Sequence, residues 1–408
     1  MRLLALCPLP PCFEQNVTDD SSPSADLQAQ HAGVRAERYP LSCIVIALVS
    51  GNINSVSTRS APPVSPGNTK TARRAARRGT GDTTLSDVAK LAGVSAITVS
   101  RALKTPSVVA PQTLARIQDA VSRTGYVPNL IAGGLASNRS GLVAALVPTI
   151  AGSVFLDTVQ ALTDTLDAAG FQLMLGQSGY TGIREDALIN AIVGRRPDGI
   201  VLTGILHSTE GRKRLLASGI PVVETWDLTP TPIDMLVGFS HEKVGVAVAD
   251  FLFAKGHRHP AIITAEDYRA GLRRAGFEHR MRSFGVVDMP VRVVQAPTTL
   301  RHGREGFSEL LASGARVDVV FCSSDVLAHG VITEAQARGL KVPQDVAVMG
   351  FGDLAFASFT HPALTTVHID GMAIGRQAAR FIIDRIEGTD IGERVRDIGF
   401  SIVTRDSV

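Results

Sequence analysis

One stretch, Leu85 to Leu103 (LSDVAKLAGVSAITVSRAL), carries small residues, hydroxyls and a cation at spacings that suit contact with a nucleic acid. Leu85, Val88, Ala89 and Ala92 recur with the helical period and form one apolar face, and Thr84 or Ser86 stands where a cap belongs. Gly93 breaks the helix and permits a tight turn. Ser95 can cap a second helix, Ala96 to Leu103, whose Val99 and Leu103 face inward. That leaves Ser95, Ala96, Ile97, Ser100 and Arg101 pointing outward, where a major groove accepts side chains. A third amphipathic helix follows Pro111, with Leu114, Ile117, Ala120 and Val121 on its buried side, and Gly125 ends it.

Catalytic patterns are missing from the sequence. There is no GxSxG elbow, P-loop, HExxH or strand-following GxGxxG, so no enzyme and no cofactor is expected. The four cysteines, Cys7, Cys12, Cys43 and Cys322, show no CxxC spacing, so neither a disulfide framework nor a structural metal is expected. Gly256, His257 and His259 read as a capped turn rather than a metal pair. Arg269, Arg273 and Arg274 form a basic cluster, which is either a solvated face or the mouth of an anion site.

These groups must be held by an organised chain. Its 408 residues are 45% hydrophobic, enough for two or three packed domains. The net charge of +3 is unevenly spread: Lys70 to Leu142 holds eleven Lys/Arg against three Asp, a local +8 that leaves −5 elsewhere. A basic segment beside a mildly acidic body points to a polyanion at one end. The longest leader run, Ile44 to Val49, is far short of the roughly 20 apolar residues of a spanning helix, so a cytoplasmic protein with no membrane partner is expected. Residues 1–68, rich in Ser, Pro, Asn and Gly, read as a disordered leader or as the product of a start codon assigned too far upstream. Residues 69–82 are a basic arm suited to phosphates, residues 83–128 a helix-turn-helix domain, 129–141 a hinge, and 142–408 the body.

In the body, apolar runs recur at Leu142–Val147, Gln172–Leu175, Gly199–Leu202, Pro221–Glu224, Ala261–Ile263, Val291–Val294, Val319–Phe321 and Val346–Met349. Helical stretches alternate with them, among them Phe155–Ala169, Arg184–Val193, Glu242–Ala254 and Asp325–Arg338. The expected fold is α/β: an all-α head followed by two lobes of doubly wound parallel sheet, with ligands bound at the strand carboxyl ends between the lobes.

The head resembles that of the lactose-repressor family, whose pattern runs roughly TLxDVAxxAGVSxxTVSRxLN. Fourteen positions from Thr84 to Leu103 match it. The resemblance implies that Ala96, Ile97 and Arg101 face bases. Arg101 suits guanine O6/N7, and the two apolar residues suit thymine methyls. It further implies that Ser95, Thr98 and Ser100 hold phosphates. Tyr126 and Asn129 belong to the family's GY-x-PN junction, and Leu135 matches the residue its hinge helix wedges into the minor groove. Gly133 and Gly134 weaken that helix by roughly 1 kcal/mol each relative to Ala.

The resemblance continues to about residue 406 and implies a body like the periplasmic sugar-binding proteins. VPTIAGSVF, LMLGQSGYTGIRED, PVVETWDLTPTPIDMLVGF and GFGD lean toward the gluconate-operon repressors. Residues carried over to the effector cleft are Val154, Phe155, Glu224, Trp226, Arg269, Arg273, Asp325 and Asp353. Gly352 stands where many members have a ligand-binding Asp. The implied protein is a homodimeric repressor on palindromic double-stranded DNA, released by a sugar acid such as gluconate. Three alternatives stay open: another sugar or keto-acid effector, a co-repressor mode, and a transport-class sugar-binding protein, against which the head argues.

Overall fold

The computed structural model describes residues 45–46, 83–127, 139–150, 152–180, 185–206 and 208–408. The basic arm, Asn129, Leu135 and most of the leader and hinge lie outside them.

The head is three helices, α1 (Leu85–Ala92), α2 (Ala96–Lys104) and α3 (Pro111–Thr124). Val88, Ala89, Ala92, Val99, Ala102, Ile117 and Ala120 form its core, the apolar faces that the helical period assigns. Asp87 accepts from both the amide and the hydroxyl of Thr84, at 3.0 and 2.6 Å, which fixes the start of α1. Those bonds hold the Asp87 carboxyl below its ordinary pKa. Gly93 closes α1 at φ 64°, a left-handed conformation that favours glycine.

The first lobe is a parallel sheet in the order β1-β3-β2-β4-β5-β6-β12. Its strands are β1 (Val45–Ile46), β2 (Leu142–Val147), β3 (Gln172–Gln177), β4 (Gly199–Thr203), β5 (Val222–Thr225), β6 (Met235–Gly238) and β12 (Val395–Asp397). Helices α4 (Leu156–Ala168), α5 (Glu185–Val193), α6 (Thr209–Ser218) and α11 (Gly371–Glu387) flank it. β1 supplies a strand from within the leader, which the reading as disordered chain does not foresee. It pairs Val45 with Met174 and Ile46 with Leu175.

The second lobe has the order β13-β11-β10-β9-β7-β8. Its strands are β7 (Pro260–Ala265), β8 (Val291–Val294), β9 (Val319–Cys322), β10 (Ala347–Phe351), β11 (Thr365–His368) and β13 (Ser401–Val403). Helices α7 (His241–Ala254), α8 (Tyr268–Ser283), α9 (Leu300–Ala312) and α10 (Asp325–Ala337) pack on it. The sheet is parallel except that β13 runs antiparallel to β11. The chain passes between lobes three times, after β6, after β11 and after β12.

Several helix pairs among the described residues are in near-backbone contact. A Cβ added at Gly375 of α11 would sit 2.3 Å from the Thr158 carbonyl of α4, and one at Gly245 of α7 would sit 2.0 Å from the Arg273 carbonyl of α8. Only glycine lets these helices approach so closely.

Candidate DNA-reading head and ligand cavity

α2 presents an outward face built from its cap onward. The Ser95 hydroxyl accepts the Thr98 amide at 3.2 Å and lies 2.8 Å from the Thr98 hydroxyl. Ser95 and Thr98 therefore build the helix start, and Ser95 already works as a cap. Val99 turns inward while Ile97 is 66% exposed and Arg101 is exposed. Arg101 has no ion-pair partner among the described residues. Ala96 and Ser100 are half-buried beside them. Tyr126 is half-buried against the head core, a placement that gives its ring a packing role.

The second centre is a cavity of about 190 Å³ at the strand carboxyl ends between the lobes. An interlobe cavity of this kind suits a small molecule. Gly152, Val154, Phe155, Tyr180 and Trp226 line it from the first lobe; Asp267, Arg269, Arg273, Thr298, Ser323 and Phe351 line it from the second. Five of the residues carried over from the resemblance would contact a ligand here only if the fold gathers them, and it gathers Val154, Phe155, Trp226, Arg269 and Arg273.

Trp226 shapes the first-lobe wall. Its φ of 66° is unusual for a bulky side chain. Its amide donates to the Val237 carbonyl at 3.1 Å, and its Nε1 donates to the Thr158 hydroxyl at 3.0 Å. Thr158 in turn donates to the Gly371 carbonyl, where the chain returns from the second lobe. Phe155 and Phe239 meet the indole edge-on at 5.1 and 5.9 Å.

Arg273 is the most constrained cation. It is 5% exposed, its guanidinium carbon lies 3.9 Å from the Phe351 ring centroid, and its Nη2 donates to the Ser323 carbonyl at 3.2 Å. His241 stands 2.8 Å from its Nη1. The other ring nitrogen, Nε2, is 2.8 Å from the Trp226 carbonyl. A carbonyl only accepts, so Nε2 carries the proton and Nδ1 accepts from Arg273. Burial, then the charges of Arg273 and Arg269, hold the His241 pKa well below 6.5, so the ring is neutral near pH 7. Burial also lowers Arg273 to about 10, which leaves it cationic. The Nε of Arg273 and the Nη1 of Arg269 are buried without hydrogen-bond partners. Arg274 instead bonds Glu278 on the outside of α8, apart from the cavity. Asp267, the N-cap of α8, accepts the Ala270 amide at 3.0 Å. His241, Tyr180 and Asp267 went unnoticed in the sequence; the position of His241 at the start of a helix and of Asp267 directly before one were the available signals.

Three expected contacts lie elsewhere. Glu224 is fully buried and accepts the amides of Leu206 and Ile233 at 3.2 and 2.8 Å, so it staples loops of the first lobe. Asp353 accepts Arg405 at 2.7 Å and lies 3.0 Å from His368 Nδ1. Asp325 is fully buried, accepting from the Thr366 hydroxyl at 2.6 Å and the Leu354 amide at 2.7 Å. Each carboxylate is occupied by internal donors, and none lines the cavity. Gly352 has φ 126°, a conformation open to glycine, so no side chain fills that place either.

Burial raises Asp325 from 3.8 to about 6. A raised folded-state pKa contributes stability that is full below 3.8 and is lost as pH climbs through about 6. The melting temperature of Asp325→Asn minus that of the native protein should therefore rise between pH 4 and 6 and level off above. A flat difference would refute the assignment. His257, at 3.6 Å from Asp318, belongs to a turn whose amides at Arg258 and His259 bond the same carboxylate. No cluster able to hold a metal occurs among the described residues, and no described helix is long and apolar enough to cross a membrane.

Residues 84–129 match the description "Bacterial regulatory proteins, lacI family", and residues 249–408 match a periplasmic binding protein-like domain. The HTH-type transcriptional regulator GntR of Pseudomonas aeruginosa is 38% identical over 81% of this chain and 97% of its own length. A lacI-family regulator from Silicibacter pomeroyi superposes with TM-score 0.75 at 31% identity, covering 80% of this chain and 99% of that one. The lac repressor dimer bound to operator shares the fold, with TM-score 0.69 at 23% identity over 80% and 99%. A capped helix-turn-helix, a two-lobed body with an interlobe cavity, and relatives matched over nearly their whole length agree: the chain belongs to the lacI family of bacterial regulatory proteins, in its gluconate-operon branch.

Proposed function

We propose that this protein is a homodimeric repressor whose operator affinity is lowered by a small sugar acid, gluconate or a close analogue, bound in the interlobe cavity. The observation that carries the ligand class is the pair of arginines there, each with a buried N–H that has no partner. A carboxylate supplies charge-assisted acceptors for such donors, and a polyol occupies a cavity of this size. Dimerisation is supported by the fold shared with the lac repressor, described as a dimer on its operator. Two-fold symmetry then requires a palindromic site read by two copies of α2. The contact set we assign to the ligand is Val154, Phe155, Trp226, Arg269 and Arg273; on DNA it is Ile97, Ala96 and Arg101, with Ser100 and Thr98 toward phosphates. Asn129 and Leu135 remain assigned by resemblance.

Ligand and operator act through one equilibrium, so each must weaken the other by the same factor. The test is fluorescence anisotropy on the DNA upstream of the protein's own gene, with and without gluconate. Binding that gluconate weakens carries the reading. Binding unmoved by gluconate discards that effector, and tightening reverses the sign to a co-repressor. Arg101→Ala should cost about 1–3 kcal/mol on the operator and almost nothing on random DNA. Equal losses on both would reassign Arg101 to phosphate contact.

A further inference from the structure

We infer that Arg269 is the latch of the cleft: a cation that reaches from the second lobe onto the first and makes closure costly until a carboxylate binds. The inference rests on the reading of the cavity as an effector site. It separates the roles of the two arginines, which their chemistry alone does not.

Arg273 is bound on every side within the cleft floor, with Nη1 on His241, Nη2 on the Ser323 carbonyl and its plane over Phe351. It is pre-positioned, and its Nε is buried without a partner. Arg269 is tethered differently. It begins one residue into α8, on the second lobe, yet its guanidinium carbon lies 5.2 Å from the ring centroid of Phe155, which belongs to the first. Its Nη1 also abuts Gly204 at the end of β4, again on the first lobe. A Cβ built at Gly204 would stand 3.4 Å from Nη1, in ordinary van der Waals contact, so Nη1 lies directly against the backbone there. Gly204 has φ 107°, which holds the position for glycine.

Nη1 is buried at this lobe contact with no hydrogen-bond partner, and Arg269 has no ion pair among the described residues. A buried cationic N–H without an acceptor is penalised by lost hydration. The closed arrangement is therefore unfavourable at this atom until an anion enters, and a bound carboxylate removes the penalty while Phe155 and Gly204 hold the guanidinium across the gap. A neutral sugar of the same size offers hydroxyls but no charge and leaves most of the penalty in place. Arg269 thus selects acid over neutral sugar and converts that selection into contact between the lobes.

The experiment compares native protein with Arg269→Met and Arg269→Gln, using thermal melting without ligand and the emission of Trp226, the chain's single tryptophan, titrated with D-gluconate and D-glucose. Without ligand, Arg269→Met should melt about 2–4 °C above native, because the unpartnered charge is gone; a residue with an ordinary structural role gives the opposite shift. Both variants should lose at least 10-fold of the native preference for gluconate over glucose. Arg269→Gln, which keeps a polar end, guards the ligand arm against a packing defect in the methionine variant. A methionine variant that melts at or below native, or an unchanged preference in both variants, overturns the latch. If native protein answers neither ligand while Arg269→Met still melts higher, the penalty at Arg269 stands and gluconate is removed as the effector.

Discussion

Replacing Arg273 by Ala is expected to abolish the ligand response and leave operator binding without ligand within about threefold of native. Truncating one member of a buried charged contact costs about 2–5 kcal/mol, roughly 30-fold to several thousand-fold in affinity. Two further losses accompany it. His241 Nδ1 and the Ser323 carbonyl both lose their donor, and the Phe351 ring loses the cation over its face. The head shares no contact with this site, so its core and its α2 face stay intact. Titration of Trp226 emission with gluconate, beside operator anisotropy, reads both quantities. A retained response would move the carboxylate to Arg269 alone. Arg273→Lys should recover only part of the binding, because an ammonium cannot span His241 and Ser323 in one plane as the guanidinium fork does.

Gly245→Ala carries the second large effect, and it acts from the far side of the same arginine. The added methyl would lie 2.0 Å from the Arg273 carbonyl and 2.7 Å from the Phe277 amide, both backbone atoms of α8. No rotamer change relieves a backbone collision, so the helices must part. The reverse face is equally tight: a Cβ at Gly276 would lie 2.3 Å from the Glu242 carbonyl. Overpacking of a well-filled contact costs about 1–3 kcal/mol, and more where no side chain can yield. We expect a loss of at least 3 kcal/mol in denaturant unfolding together with weakened ligand response, because α8 carries both Arg269 and Arg273. An unchanged unfolding midpoint would mean that α7 and α8 sit farther apart than described.

The head was almost wholly legible in its residues. Gly93, Ser95 and Gly125 mark helix ends by local chemistry, and Val88, Val99 and Ile117 mark the core by period; each element there depends on neighbours a few positions away. In the body, the runs at Leu142–Val147 and Val291–Val294 coincide with β2 and β8. β6, β11, β12 and β13 escaped. Thr365–His368 is polar at three of four positions and Val395–Asp397 has one apolar residue, so neither reads as a buried strand until neighbours are known. The two arginines line the cavity, whereas Glu224, Asp325 and Asp353 do not. All three lie at strand ends, where ligands also bind. Position along a strand does not say whether a carboxylate faces open space or nearby amides. Leu206, Ile233 and Leu354 supply those amides from distant loops, and this information is tertiary.

The three passages of the chain between lobes have a practical result for recombination. α11 and β12 complete the first lobe after most of the sequence that builds the second, and β13 then returns to the second. A gene fragment ending near residue 240 would lack a helix that packs on α4 and the strand beside β6. Neither lobe is a contiguous stretch of gene, whereas the head is, and so is the undivided body from β2 to β13. Exchange of genetic segments between relatives can thus pass on a new operator preference in one short crossover, or a new effector response in one long crossover, but it cannot graft half a binding cleft.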